Sequence, residues 1–137
     1  MTDITFIKTN KIDRSQLLDL YNDAGWSSYT NDPDNLENAI MASLYVLIAM
    51  KDGKLIGLIR VVGDGLTIIY IQDILVLNKY RRMSIGTSLM KRTLKEFKKI
   101  RQKVLLTDEK NETRLFYESL GFDSCEKLGL ASFIKLE

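Results

Sequence analysis

Fourteen consecutive residues constrain this chain more than any others: Val76-Leu77-Asn78-Lys79-Tyr80-Arg81-Arg82-Met83-Ser84-Ile85-Gly86-Thr87-Ser88-Leu89. They join an apolar strand pattern, running from Ile69 to Leu77, to an amphipathic helix pattern with no room for a long loop. Small residues (Ser84, Gly86, Thr87, Ser88) fall where the helix begins, directly after two arginines. Small side chains let a ligand come close to the backbone. The unbonded N–H groups of a helix's first turn and its positive dipole end then form an anion site. A strand, a basic turn and a helix start in this order point to a phosphate-bearing ligand.

The periodicity of the remainder sets an α/β class. Residues 13–21 read as a short helix, with Leu17, Leu18 and Tyr21 at helical spacing, and 35–43 as a second. The stretch 24–33, which holds Trp26 and Tyr29, reads as a loop. Apolar runs at 44–50 and 55–62 flank Lys51-Asp52-Gly53-Lys54, a hairpin signal. A strand at 66–77, a helix at 85–100, a short strand at 104–107, a helix at 111–120 closed by Gly121, and a last strand at 128–136 complete the pattern. Strands in series, then strand and helix in alternation, predict a mixed sheet with helices on its faces, in a single domain spanning residues 1–137.

On the strand from Leu66, Ile69 and Ile71 alternate with Tyr70 and Gln72, and Asp73 falls on the face of the two isoleucines. The alternation is then lost in an unbroken apolar run, Ile74 to Leu77. A carboxylate in such a run is costly unless it is hydrogen-bonded or does work. Lost alternation also predicts a β-bulge, which would turn backbone groups toward a ligand.

Composition narrows the chemistry. The chain has 137 residues, no histidine and one cysteine, Cys125. That excludes an internal disulfide, a multi-cysteine metal site, and any base, metal ligand or triad built on histidine. The longest apolar run is far too short to span a bilayer, and no secretory pattern opens the sequence, so a cytoplasmic protein without membrane contact is expected. Charge is uneven. The segment 79–103 carries 10 of the 20 basic residues and one acid, Glu96, while the rest has 10 basic and 17 acidic residues. A basic block suits a polyanionic ligand, or is the solvated face of the helix. It lacks the aromatic residues that stack nucleic-acid bases, apart from Tyr80 and Phe97, so no nucleic-acid partner is expected.

The segment Arg81-Arg82-Met83-Ser84-Ile85-Gly86 resembles the acyl-CoA motif of the GNAT (GCN5-related N-acetyltransferase) superfamily, Gln/Arg-x-x-Gly-x-Gly/Ala, with Ser84 at the first glycine. Asn78 stands where that family has a proline. Asn111-Glu112-Thr113-Arg114-Leu115-Phe116-Tyr117-Glu118-Ser119-Leu120-Gly121-Phe122 is similar to its late helix, with Arg114 in place of the usual alanine. The two motifs occur in the family's order and at about its spacing. The resemblance implies a sheet of about six to seven strands flanked by about four helices and splayed between strands 4 and 5. It implies transfer of an acetyl group from acetyl-CoA to a primary amine of a small molecule, without a metal. Pairing of two copies is a further expectation. A protein N-terminal or lysine acetyltransferase, or a domain that binds acyl-CoA without catalysis, is the alternative.

The same resemblance distributes the roles. Backbone groups of Ile74, Leu75 and Val76 would hold the pantetheine arm. Arg81, Arg82, Ser84, Ile85, Gly86 and Thr87 would hold the pyrophosphate. Asn111 would contact the cofactor arm or simply cap its helix. Tyr117 would protonate the leaving thiolate. Asp73 is the candidate base, acting directly or through water, or is instead a buried acid tying down a neighbouring loop. Trp26 and Tyr29, with Asp32 and Asp34 nearby, are candidates for the amine pocket. Ser84 is expected at negative φ, as suits a residue with a Cβ.

Overall fold

Asp52 and Gly53 organise the sheet. Both take positive φ, 53° and 74°, the geometry of a tight hairpin turn. They fold β2 (Tyr45–Lys51) back against β3 (Lys54–Gly63). Outside them, β1 (Thr5–Lys8) pairs antiparallel with β2, and β4 (Ile68–Val76) antiparallel with β3. The last strand, β5 (Gln102–Leu105), lies parallel to β4, giving the order β1-β2-β3-β4-β5. This computed structural model describes residues 3–137.

Helices cover both faces. On one lies α1 (Arg14–Asp23), whose N-cap Asp13 accepts from the Gln16 N–H, together with α3 (Pro33–Ala42), capped by Asp32 and started by a proline. Between them the expected loop contains a short helix, α2 (Ser27–Thr30). The other face carries α4 (Ile85–Glu96). Gly57 of β3 admits it closely: a Cβ there would stand 3.2 Å from Ile85 and 3.4 Å from Leu89. The core lies between these layers, with Leu17, Leu20, Leu36 and Ile40 on one side of the sheet and Ile85, Leu89 and Met90 on the other, all buried.

The chain divides into two compact units, 1–105 and 106–137. The second contains α5 (Asn111–Ser119). The described residues hold five strands and five helices, against about six to seven strands and about four helices expected. The extra helix is α2. The missing strand is 128–136. A 3-10 turn at Cys125–Leu128 ends on Gly129 in the left-handed region, and among the described residues no strand pairs with 130–137. Residues there alternate poorly and stay exposed, Phe133 at 95%.

The ladder between β4 and β5 runs from Ile68 opposite Gln102 to Ile71 opposite Leu105. Among the described residues, no strand pairs with that edge of β4 from Gln72 to Val76. This is the region for which the resemblance implies a splay.

Candidate functional site

The open edge begins at a bulge. On β3, Arg60 and Val61 are adjacent, but they pair with Asp73 and Ile71 of β4, leaving Gln72 as the extra residue. The expected loss of alternation is therefore a real shift in register. It also corrects the expected facing of Asp73. Ile71 follows Val61 to the α4 side, whereas Asp73 follows Arg60 to the side of α1 and α2.

There Asp73 is 2% exposed and fully engaged. Its Oδ2 accepts from the Tyr21 hydroxyl and from Arg60 Nε, both at 2.8 Å. Its Oδ1 accepts from the Tyr29 hydroxyl at 3.1 Å. Arg60, itself 7% exposed, also donates to Ser43 Oγ at 3.4 Å and to the Tyr29 oxygen at 3.5 Å. Burial works against the guanidinium charge, but Asp73 and the two tyrosines more than offset it, and its pKa is raised. Burial, and then the Asp73 charge, push the Tyr21 phenol far above its usual value. A carboxylate needs such a set of donors to remain charged in a core.

This hub fixes the aromatic cluster over the bulge. The rings of Tyr21 and Tyr29 meet edge-on with centroids 5.3 Å apart, and Trp26 lies 6.1 Å from Tyr29. Gln72, exposed on the bulge, donates to the Tyr29 oxygen at 3.2 Å. Trp26 and Tyr29 thus belong to one partly exposed cluster. Asp32 and Asp34, the acids near these candidate pocket residues, are themselves engaged, as is Asp73. Asp34 pairs with Arg14, Asp32 accepts from the Asn35 N–H as helix cap, and Asp73 is held by Arg60.

After β4 the chain turns through a 3-10 segment, Asn78–Tyr80. Asn78 ties this turn to the end of α1. Its N–H donates to Asp23 Oδ2 at 2.7 Å and its side-chain amide to the Asp23 carbonyl at 3.1 Å. A proline at 78 would lack the first of these bonds. Arg82 and Ser84 then adopt φ of 71° and 59°. The expectation of negative φ at Ser84 is thus overturned: the serine takes the left-handed shape that a glycine takes without strain. The Ser84 side chain makes no capping bond, and the first bond of α4 is Ser88 N–H to the Ser84 carbonyl at 3.0 Å. The N–H groups of Ile85, Gly86 and Thr87 precede that bond in the first turn, behind the exposed Arg81 and Arg82. This donor set suits a diphosphate.

In the second unit, α5 ends in a Schellman motif. Gly121, at φ 92°, donates to the Glu118 carbonyl, and Phe122 donates to the Tyr117 carbonyl at 3.1 Å. The motif brings Phe122 against Tyr117, edge-on at 5.9 Å, with Phe116 on another side at 5.0 Å. Burial raises the Tyr117 pKa, only partly offset by a hydrogen bond with Thr107. Asn111 is not the cap of α5. Lys110 occupies that position, and Asn111 is the first helical residue, exposed.

Arg60, Tyr21 and Gln72 were not singled out from the sequence. One signal was available: Arg60 is a lone cation in the apolar run 55–62, as Asp73 is a lone anion in the next strand.

The family model described as an acetyltransferase (GNAT) domain matches residues 10–136. Among solved structures, a GNAT family acetyltransferase from Streptococcus pneumoniae TIGR4 is similar with a TM-score of 0.88 and 36% identity, over 98% of each chain. An aminoglycoside N-acetyltransferase solved with CoA has a TM-score of 0.74 and 18% identity, over 100% of this chain and 95% of that one. An aminoglycoside acetyltransferase from an uncultured soil metagenomic sample, solved with sisomicin, has 0.69 and 16%, over 98% and 97%. The last two share the fold. None of the curated proteins matches this chain. No helix among the described residues is long and apolar enough to cross a membrane.

Proposed function

This chain belongs to the GNAT acetyltransferases, and on that premise we propose that it moves the acetyl group of acetyl-CoA onto a primary amine of a small molecule. The observation that carries the donor half is the start of α4: three N–H groups of a first helical turn behind Arg81 and Arg82, at the end of a strand with an open edge. The small-molecule half is supported by the half-exposed Trp26 and Tyr29 cluster, and by the aminoglycoside enzymes among the structural relatives.

In this reading the pyrophosphate lies at Arg81 to Thr87, and the pantetheine arm runs along the backbone of Ile74, Leu75 and Val76. Asn111 contacts that arm. The amine nitrogen attacks the thioester carbon, the carbon–sulfur bond breaks, and the nitrogen loses a proton. A preorganised backbone N–H of the bulged strand stabilises the charge on the carbonyl oxygen. Tyr117 gives its proton to the departing thiolate and is reprotonated from solvent. A tyrosine, ordinarily ionising near pH 10, is protonated at neutral pH, and burial raises Tyr117 further. Asp73 is a positioning residue. It holds Tyr29, and the amine proton leaves through water.

The decisive experiment is a panel of amines incubated with acetyl-CoA, read by free-thiol release, with calorimetry of acetyl-CoA binding alongside. Acetyl-CoA should bind, and small primary amines should release CoA faster than peptides do. Gly86→Val should abolish acetyl-CoA binding while the circular dichroism spectrum stays unchanged. Undiminished affinity in that variant would sink the pyrophosphate assignment.

A further inference from the structure

A groove on the α4 side of the sheet is lined by residues other than those assigned above to the acetyl transfer. It has a volume of about 880 Å³ and is walled by Phe6 and Lys8 of β1, Tyr45 and Leu47 of β2, and Lys91, Arg92 and Lys95 of α4. Four cations face it against one lining acid, Glu96. None of the ion pairs among the described residues involves any of the four. Two of them are steadied on aromatic rings. The Arg92 guanidinium sits 4.2 Å from the Phe6 centroid, and the Lys8 ammonium 5.5 Å from that of Tyr45. These contacts restrain the cations without neutralising them.

The same groove is bounded by a free sheet edge. β1 pairs with β2 on one side, and no strand pairs with its other side among the described residues. The Thr9 N–H donates to the Val46 carbonyl. By the alternation of an antiparallel ladder, Thr5 and Ile7 also turn their backbone groups toward β2, so Phe6 and Lys8 turn theirs outward. Phe6 and Lys8 are the residues of β1 whose side chains enter the groove. A strand added antiparallel at this edge would place residues opposite Phe6 and Lys8, bonded to both through the backbone. Their side chains would stand on the groove face, beside Arg92, Lys91 and Lys95.

We propose that this face docks an extended acidic segment of a partner protein, which adds a strand to β1 and directs carboxylates at alternate positions into the groove. Charge complementarity sets the acidic character, and the outward groups of Phe6 and Lys8 set the strand geometry. A nucleic acid fits less well. Arg92 covers the Phe6 ring, and Tyr45, 5% exposed, carries Lys8 and meets Phe97 edge-on at 5.2 Å, so neither ring offers a face for a base.

The test uses an end-blocked, fluorescent eight-residue peptide of alternating Glu and Thr, titrated with the full chain and read by anisotropy. Replacing every Glu by Gln should weaken binding by about tenfold or more, and raising the salt should weaken it as well. Methylating the Glu backbone nitrogens keeps the charge but removes the donors that face β1, and should also cost about tenfold. Arg92→Glu should abolish binding, and Arg92→Gln should weaken it, with acetyl-CoA affinity and thermal unfolding of Arg92→Gln unchanged. Equal binding of the Gln peptide or of the methylated peptide would overturn the proposal. So would displacement of the Glu peptide by an oligonucleotide that binds more tightly.

Discussion

Ile71 and Asp73 are two residues apart on β4, yet they pair with neighbouring residues of β3, Val61 and Arg60, and so face opposite sides of the sheet. One inserted residue, Gln72, accounts for the inversion. Without the bulge, with Gln72 paired in a regular ladder, Asp73 would enter the apolar layer under α4, away from Arg60 and Tyr21. With it, a carboxylate and a guanidinium meet at 2.8 Å in the core.

The first prediction tests that pair. Asp73→Asn keeps the shape but leaves Arg60 as a buried cation without its counter-ion. Breaking a buried pair from one side costs about 3–5 kcal/mol. Replacing both partners, as in Asp73→Leu with Arg60→Met, should recover a large part of that loss. Urea midpoints of the single and double variants decide the matter. A double variant no more stable than Asp73→Asn would mean that the two residues do not act as a unit.

A second prediction concerns alkaline pH. The Tyr21 phenol is pushed up in the folded chain, first by burial and then by the Asp73 charge. An unfolded tyrosine ionises near pH 10. A raised folded pKa means that the stability contributed by protonated Tyr21 is fully present below about pH 10 and falls as the pH rises beyond it. The melting temperature should therefore fall progressively from about pH 10 upward. Tyr21→Phe, although less stable at neutral pH, should show a shallower drop. Tyr45 and Tyr117 are raised as well and will keep some slope. An identical slope in Tyr21→Phe would remove Tyr21 from the account.

Much of this arrangement is legible in the sequence because it obeys local periodicity. The hairpin at Asp52-Gly53, the amphipathic α4 and the closure of α5 at Gly121 depend on residues within one or two turns of each other. A bulge in this strand was legible too, although it lies at Gln72, before the apolar run that suggested it. Its consequence was not, because which face Asp73 takes depends on the partner strand. The hub was hidden for the same reason: Tyr21, Tyr29, Arg60 and Asp73 come from four elements. The strand expected at 128–136 failed differently. Apolar content alone does not form a strand without a neighbour, and Gly129 turns the chain first.

Ser84 carries the third prediction. Holding a residue with a Cβ in the left-handed region costs about 1–2 kcal/mol, partly offset because glycine is freer when unfolded. Ser84→Gly should stabilise the chain by about 0.5–1 kcal/mol and leave acetyl-CoA affinity nearly unchanged. Ser84→Val, β-branched, should lose both stability and affinity. Calorimetric titration and thermal melts read the two effects separately. A destabilised Ser84→Gly would show that the serine hydroxyl does something the backbone geometry does not require.

The fourth prediction concerns Gly121. A Cβ there meets nothing within 4 Å, so only its positive φ opposes a side chain. Gly121→Ala should cost about 1 kcal/mol through that strain alone. Because the motif seats Phe122 against Tyr117, it should also lower kcat if Tyr117 is the acid. An unchanged kcat with lowered stability would separate the helix end from the chemistry.

Tyr117 itself bears the final prediction. Between Phe116 and Phe122 the phenol is partly buried, and burial raises its pKa. A phenol that resists ionisation is protonated at neutral pH, as a general acid must be, and can donate a hydrogen bond and then its proton as charge develops on the departing sulfur. Tyr117→Phe keeps both ring contacts and removes only the hydroxyl. It should lower kcat by roughly ten- to a few hundred-fold, with little change in KM for acetyl-CoA. In the wild type, ionisation of the acid should abolish turnover only above about pH 10, because the shift is upward. The Phe variant should lack that alkaline limb. Single-turnover measurements exclude slow product release as a mask. An unchanged single-turnover rate in Tyr117→Phe would reduce the residue to packing, and the proton on the leaving thiol would then come from solvent.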